Sequence, residues 1–275
     1  CGGPQFESEK WLQIVSSFAI KLNYWLFCLI KYIHMEEKMV ILVTGASRGI
    51  GREIAKELDL KGHKVIANYN NSEQKAKELE KENNNIKTYK ADVSKRKEVH
   101  DMVQNILKEN GKIDVLINNA GISQEKMFID VTDEEWNRMI DTNLYSVFCT
   151  IQEVLPDMVK RKQGCIINIS SVWGMVGASC ESVYSVSKAG VDAIPKSLAK
   201  QLGPSNIRIN SIAPGIIDTE MNKNLSNREI EDLVEEIPLE RIGETSDIAK
   251  CIEWLISDKY TTGQVISING GWIIT

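Results

Sequence analysis

Tyr184 and Lys188 stand four residues apart in "YSVSK", at the end of a run from Ser170 that is crowded with hydroxyls. On a helix, positions i and i+4 share a face. A free phenol, with a pKa of about 10, is a weak acid at neutral pH. A neighbouring ammonium favours the phenolate and so lowers that pKa. Such a pair is suited to giving a proton to an oxygen on which charge develops. Ser170 and Ser171 close the preceding apolar run "CIINISS", and a hydroxyl there can donate a hydrogen bond to the same oxygen. The middle of the stretch, "WGMVGASCE", places Trp173, Cys180 and Glu181 where a plain linker would serve.

A second cluster lies far upstream. "VTGASRGIG" (43–51) has Gly45, Gly49 and Gly51 around Ser47, Arg48 and Ile50. Glycines between a strand and a helix permit a tight turn and let a pyrophosphate approach backbone N–H groups at the helix start. NAD sites commonly place an acid about 20 residues further on, against the ribose 2′-hydroxyl. Here that region reads Asn68-Tyr69-Asn70-Asn71, without an acid, and Arg48 can pair with a 2′-phosphate. The expected cofactor is therefore NADPH rather than NADH, with Asn70 beside it.

These groups need a frame, and the chain after Met39 supplies one by alternation. "MVILVT" is short, apolar and β-branched, and reads as a buried strand. "IGREIAKELDLKGH" follows at helical spacing, with Ile50, Ile54, Ala55 and Leu58 on one face. "KVIANY", "IKTYK", "IDVLINNAG", "CIINIS", "IRINSIAPG" and "GQVISING" read as further strands. Helical stretches separate them, among them about 133–161, Ser182 to Leu202, about 222–235 and about 245–257. Strands alternating with helices predict an α/β, Rossmann-type, doubly wound parallel sheet with helices on both faces. The strands are apolar on both sides, as a doubly covered sheet requires.

Composition narrows the classes. A net charge of -5 over 275 residues gives no basic footprint for nucleic acid. The cysteines form no C-x-x-C pair and suggest no disulfide framework, so the expected setting is a reducing cytoplasm. His34, His63 and His100 lack zinc-ligand spacing, and no metal site is expected. Residues 1–34 are apolar and aromatic but interrupted by Lys21 and Lys31, unlike a spanning helix. They read as an upstream or non-native extension, followed by a single nucleotide-binding domain over 35–275.

The motifs together resemble the short-chain dehydrogenase/reductase family, from about Met39 onward. They are "TGASRGIG" (44–51), "ADV" (91–93), "NNAG" (118–121), "DTN" (141–143), "INISS" (167–171), "YSVSK" (184–188) and "APGIIDTEM" (213–221). The resemblance implies a catalytic tetrad of Asn143, Ser171, Tyr184 and Lys188, and its Ser-to-Tyr spacing selects Ser171 over Ser170. It implies that Asp92 and Val93 flank the adenine and that Asn119, Ala120 and Gly121 line the cofactor cleft. Ile217 and Thr219, after Pro214 and Gly215, would hold the nicotinamide end. Lys188 would also grip the nicotinamide ribose, and Asn143 would order a water in a proton relay.

Within the family, "PLERIGETSDIA" and "TGQVISINGG" resemble bacterial 3-oxoacyl-[acyl-carrier-protein] reductases. Carrier proteins are acidic, and "KRKQG" (Lys160, Arg161, Lys162) is a candidate basic landing patch. Ser205, where those reductases often carry Arg, departs from the pattern. "SSVWGMVGASCESVYS" resembles instead a subgroup that reduces the 5-aminopentanone group on a lysine of elongation factor P. There Trp173 would form a pocket wall and Glu181 would pair with a cationic amine. A non-catalytic nucleotide-sensing relative is the third reading, and such proteins usually lose the Tyr or Lys that this chain keeps. The family also implies a homotetramer, with the catalytic helix in its interface. Pro195 falls inside that helix, where it removes a backbone hydrogen bond.

Overall fold

The computed structural model describes residues 38–223 and 225–275, so the expected extension at 1–34 lies outside the described residues. The strands are β1 (Val40–Val43), β2 (Lys64–Tyr69), β3 (Ile86–Lys90), β4 (Val115–Asn118), β5 (Gly164–Ile169), β6 (Ile207–Pro214) and β7 (Val265–Ile268). They form one sheet in the order β3-β2-β1-β4-β5-β6-β7, and every pairing is parallel. The helices are α1 (Gly49–Leu60), α2 (Glu73–Glu82), α3 (Arg96–Asn110), α4 (Asp133–Ile140), α5 (Ser146–Arg161), α6 (Val172–Val176), α7 (Ser182–Leu202), α8 (Asn227–Glu236) and α9 (Thr245–Ser257).

Side chains alternate along a strand, and here both faces are apolar. Ile41 and Val43 of β1 pack with Ile54 and Leu58 of α1 and Ile252 of α9. Val40 and Leu42 pack on the other face with Met102 and Val103 of α3 and Val154 and Met158 of α5. The two layers make residues 39–275 one compact unit, a Rossmann-type α/β fold. Chain direction across the sheet reverses between β1 and β4. In open α/β sheets that crevice, beyond the carboxyl ends of the strands, is where ligands bind. No helix among the described residues is long and apolar enough to cross a membrane.

Pro195 leaves α7 unbroken from Ser182 to Leu202. Proline has no N–H for the carbonyl four residues back, that of Val191. The Ser211 hydroxyl of β6 donates to that carbonyl at 3.5 Å, so a neighbouring strand supplies a donor in its place. Two local features depart from the expected helices. Residues Asp141–Tyr145 form a π-helical turn between α4 and α5. The stretch after Ser171 forms the short helix α6, capped by the Ser171 hydroxyl accepting from Trp173 N at 3.2 Å.

Candidate active site

Every sequence-picked residue of the glycine loop and the tetrad lies beyond the carboxyl end of a strand or on a helix packed against one. The loop after β1 needs glycine for stated reasons. Gly45 has φ +64, and a Cβ there would stand 2.8 Å from Ala120 Cα; a Cβ on Gly51 would stand 2.4 Å from Asn119 Nδ2. Asn119 donates from that amide nitrogen to the carbonyls of Thr44 (3.0 Å) and Gly45 (3.1 Å). The Thr44 hydroxyl accepts from the N–H groups of Asn119 (3.0 Å) and Ala120 (3.1 Å). Asn68, buried at the end of β2, accepts from Gly45 N at 3.3 Å and donates to Ala91 O at 3.0 Å. Thr44 and Asn68 thus organise the loop, a role that sequence reading did not assign to them. The signal available was their place at strand ends flanking the glycines.

The start of α1 is open. Arg48 occupies its N-cap position, and no side chain caps the helix. The first-turn N–H groups of a helix have no intrahelical partner and attract anions, so this loop fits a pyrophosphate. Arg48 itself is exposed, with its guanidinium 4.0 Å from Glu220, which also pairs with Lys75. Asp92 spends one carboxylate oxygen on Ser94, accepting from its N–H at 3.0 Å and its hydroxyl at 2.7 Å, while Val93 is buried. Thr219 comes back to the glycine loop, its Cβ 3.6 Å from where a Gly49 Cβ would lie. Ile217 is buried and pairs with Gly243; Gly215 lies tight against Asn269, where a Cβ would meet Asn269 Cβ at 2.8 Å.

The tetrad candidates converge. The π turn holds Asn143, which is buried. Its side chain accepts from Ile122 N at 2.8 Å and donates to Ile122 O at 2.9 Å, tying this turn to the loop after β4. It also donates to Ser187 Oγ at 3.1 Å, on α7. A Cβ on Gly121 would stand 3.4 Å from Asn143 Oδ1 and 3.5 Å from Lys188 Nζ, so both groups border one small space. Lys188 Nζ donates to Ile169 O, the last residue of β5, at 2.8 Å, and lies 5.6 Å from the centre of the Tyr184 ring. Ser171 follows β5, and Tyr184 packs with Met139, Val183 and Trp173. Ser170 donates to Lys188 O at 3.2 Å, the structural part expected of it.

The electrostatics correct one expectation. The i+4 spacing predicts a Tyr184 pKa lowered by Lys188. Burial instead pushes Tyr184 up to about 12, with the Ser171 hydroxyl pulling against it and Glu181 adding to the rise. Burial also pulls Lys188 down to about 8. The shared cause is desolvation, which penalises the phenolate and the ammonium alike, and in the chain alone it outweighs their attraction.

An aromatic corner lies beside Tyr184. Trp173 meets Trp272 edge-on, ring centres 4.9 Å apart and planes at 66°. Trp272 Nε1 donates to Glu236 at the end of α8 at 3.0 Å. Trp272 was not anticipated; an aromatic residue just past "NGG" was the one visible signal. Glu181, at the N-cap position of α7, is pushed up by partial burial and by the charge of Glu125.

The structure puts the candidate basic patch Lys160–Lys162 at the far end of β5 from Ser171. It precedes β5, whereas Ser171 follows it, and a strand of 6 residues separates the two by roughly 20 Å. Arg161 is moreover engaged by Asp157 at 2.9 Å, Asp114 at 3.2 Å and Ile113 O at 2.6 Å.

Comparison with known proteins agrees with this geometry. A sequence model of the short chain dehydrogenase family matches residues 39–230. The chain belongs to the short-chain dehydrogenase/reductase family. Members are NAD(P)H-dependent oxidoreductases, and this chain is one. It is 41% identical over 236 residues to 3-oxoacyl-[acyl-carrier-protein] reductase FabG of Staphylococcus epidermidis, covering 84% of this chain and 97% of that protein. The Staphylococcus aureus reductase of the same name is 42% identical, covering 84% of this chain and 96% of its own length. That of Thermotoga maritima is 38% identical over 243 residues, covering 86% and 99%.

Proposed function

We propose that this short-chain dehydrogenase/reductase is an NADPH-dependent reductase of 3-oxoacyl thioesters carried on acyl carrier protein. The observation that carries the reading is the convergence of Asn143, Ser171, Tyr184 and Lys188 beside an uncapped glycine loop, in a chain similar along its length to reductases of that name.

The loop N–H groups and the N-terminus of α1 would hold the pyrophosphate, and Arg48 the 2′-phosphate. The Arg48–Glu220 contact is exposed and long, and such surface pairs are worth about 0–1 kcal/mol, so a phosphate can displace it. Bound NADPH supplies a hydride to the carbonyl carbon. Charge then builds on the carbonyl oxygen, where Ser171 donates a hydrogen bond and Tyr184 gives its proton. A phenol pushed up to about 12 is fully protonated at neutral pH and still acidic enough to protonate an alkoxide. Lys188 keeps positive charge beside the phenolate as it forms. Asn143 fixes the 122 loop, contacts α7 and borders the same small space as Lys188, and in this reading it would order a water that passes protons to Lys188.

Glu181 favours a second reading, reduction of an amino-ketone such as the 5-aminopentanone group on elongation factor P. It is a half-buried carboxylate near the tyrosine, and a cationic substrate amine would satisfy it. Exposed Tyr145 at the end of the π turn, Phe148 and Val159 on α5 and Val186 on α7 support a homo-oligomer, a tetramer by family likeness. The unpaired Cys149, Cys165, Cys180 and Cys251 support a cytoplasmic setting.

The deciding experiment follows NADPH oxidation with acetoacetyl carrier protein, acetoacetyl-CoA and aminopentanone-modified elongation factor P. The highest kcat/KM is expected for the carrier-bound thioester, and Tyr184→Phe should lower it by about 10²–10⁴-fold. Preference for the modified factor, lost in Glu181→Gln, would replace the thioester reading. Equal use of NADH would remove the 2′-phosphate role of Arg48.

A further inference from the structure

The row on α7 that holds Tyr184 and Lys188 continues by one turn to Asp192. Asp192 is 4% exposed, and among the described residues neither carboxylate oxygen has a hydrogen-bond partner within 3.5 Å. Buried polar groups are nearly always satisfied, so an orphaned carboxylate needs a reason.

Its surroundings are built to accept it. Gly174 of α6 leaves the room: a Cβ there would stand 3.0 Å from Asp192 Oδ2 and 2.8 Å from the carbonyl carbon of Lys188. The rest of α6, "VWGMV", brings no ionisable group. The Ser170 hydroxyl, which pulls the Asp192 pKa down, donates to Lys188 O at 3.2 Å. The groups that act on its charge are Ser170 from the end of β5 and Lys196 and Lys188 from α7 itself.

We propose that Asp192 is a positioning residue, a buried carboxylate whose charge, one turn behind Lys188, keeps the Lys188 ammonium protonated. The proposal rests on the reductase reading, in which Lys188 must be cationic at neutral pH. Lys188 is under strong desolvation, and Asp192 is the group that opposes it. Among the described residues Lys188 Nζ has one hydrogen bond to protein, to a neutral carbonyl, so a fixed anion within the helix is its main electrostatic support. Burial pushes Asp192 up to about 6, which leaves it ionised at neutral pH.

The full chain labelled with [ε-¹⁵N]lysine reads this directly. The Lys188 signal, identified by its loss in Lys188→Arg, is titrated by NMR in the parent and in Asp192→Asn. The midpoint should fall by about one pH unit in the variant, and the alkaline limb of kcat/KM for ketone reduction should move with it. Coincident NMR midpoints overturn the proposal, because a carboxylate with a purely structural role would leave Lys188 unmoved. A parent chain that reduces no ketone overturns the reductase reading instead, and the NMR midpoints still decide whether Asp192 charges Lys188. Asp192→Leu fills the same apolar space and carries the same expectation, should the Asn variant fail to fold.

Discussion

Asp192 also leaves a mark on stability. Its ordinary pKa of 3.8 is raised to about 6 in the fold, chiefly by burial. Between those values the folded chain holds a proton that the unfolded chain has released. The stability linked to this group is therefore present at acid pH and lost as pH rises through about 6. Asp192→Asn cannot ionise. Its Tm should match or slightly trail the parent near pH 4 and exceed it near pH 7; a gap that does not change with pH would contradict this. That Tyr184 and Lys188 share a face of one helix was legible from their spacing, because helix periodicity sets which groups line up; Asn143 and Ser171 came only with the family resemblance. The direction of the Tyr184 shift was not legible, because desolvation depends on the packing of Met139, Val183 and Trp173, which spacing does not reveal.

At the scale of elements, α7 shows how a local rule is overridden from outside. Its span matched the sequence reading because the amphipathic pattern and the start at Ser182 were both visible. How Pro195 is accommodated was not visible, because the donor to Val191 O comes from Ser211 on β6, close in space but remote in sequence. Ser211→Ala should cost about 1–3 kcal/mol by leaving a buried carbonyl unpaired. In Pro195→Ala, which restores the helical N–H, the same Ser211 change should cost clearly less. Urea melts of the two single variants and the double variant close the cycle; strict additivity would show that Ser211 does not serve Val191. The π turn escaped sequence reading for a similar reason. It falls inside a stretch that reads as helical, and what fixes it is the paired hydrogen bonding of Asn143 with Ile122, across the loop after β4. Single-turn π segments within helices are frequent at functional sites.

At the scale of the whole molecule, the parallel sheet collects contributions scattered over the chain along one edge. Alternating strands and helices made the parallel, doubly covered sheet readable in advance; the strand order, and with it the crevice between β1 and β4, came only from the structure. The two ends of one strand are harder to tell apart in sequence, which is why a basic run just before β5 looked near to Ser171 and is not. The outer faces of α5 and α7 carry the other global consequence. Tyr145 and Phe148 lie with ring centres 5.8 Å apart on the exposed side, and Phe148 is 48% exposed. Placing a charge there, as Phe148→Glu, should lower the mass measured by light scattering from that of a tetramer to that of smaller species. A parent chain that elutes as a monomer would remove this interface. The Trp173–Trp272 corner gives the molecule something further, an optical reporter set into its own doorway. Indole emission overlaps the absorption of reduced nicotinamide, so in the proposed reductase a cofactor bound near Trp173, which packs on Tyr184, should quench the fluorescence without an attached dye. Because Trp272 is held by Glu236 of α8, the same light also responds to a change in that contact.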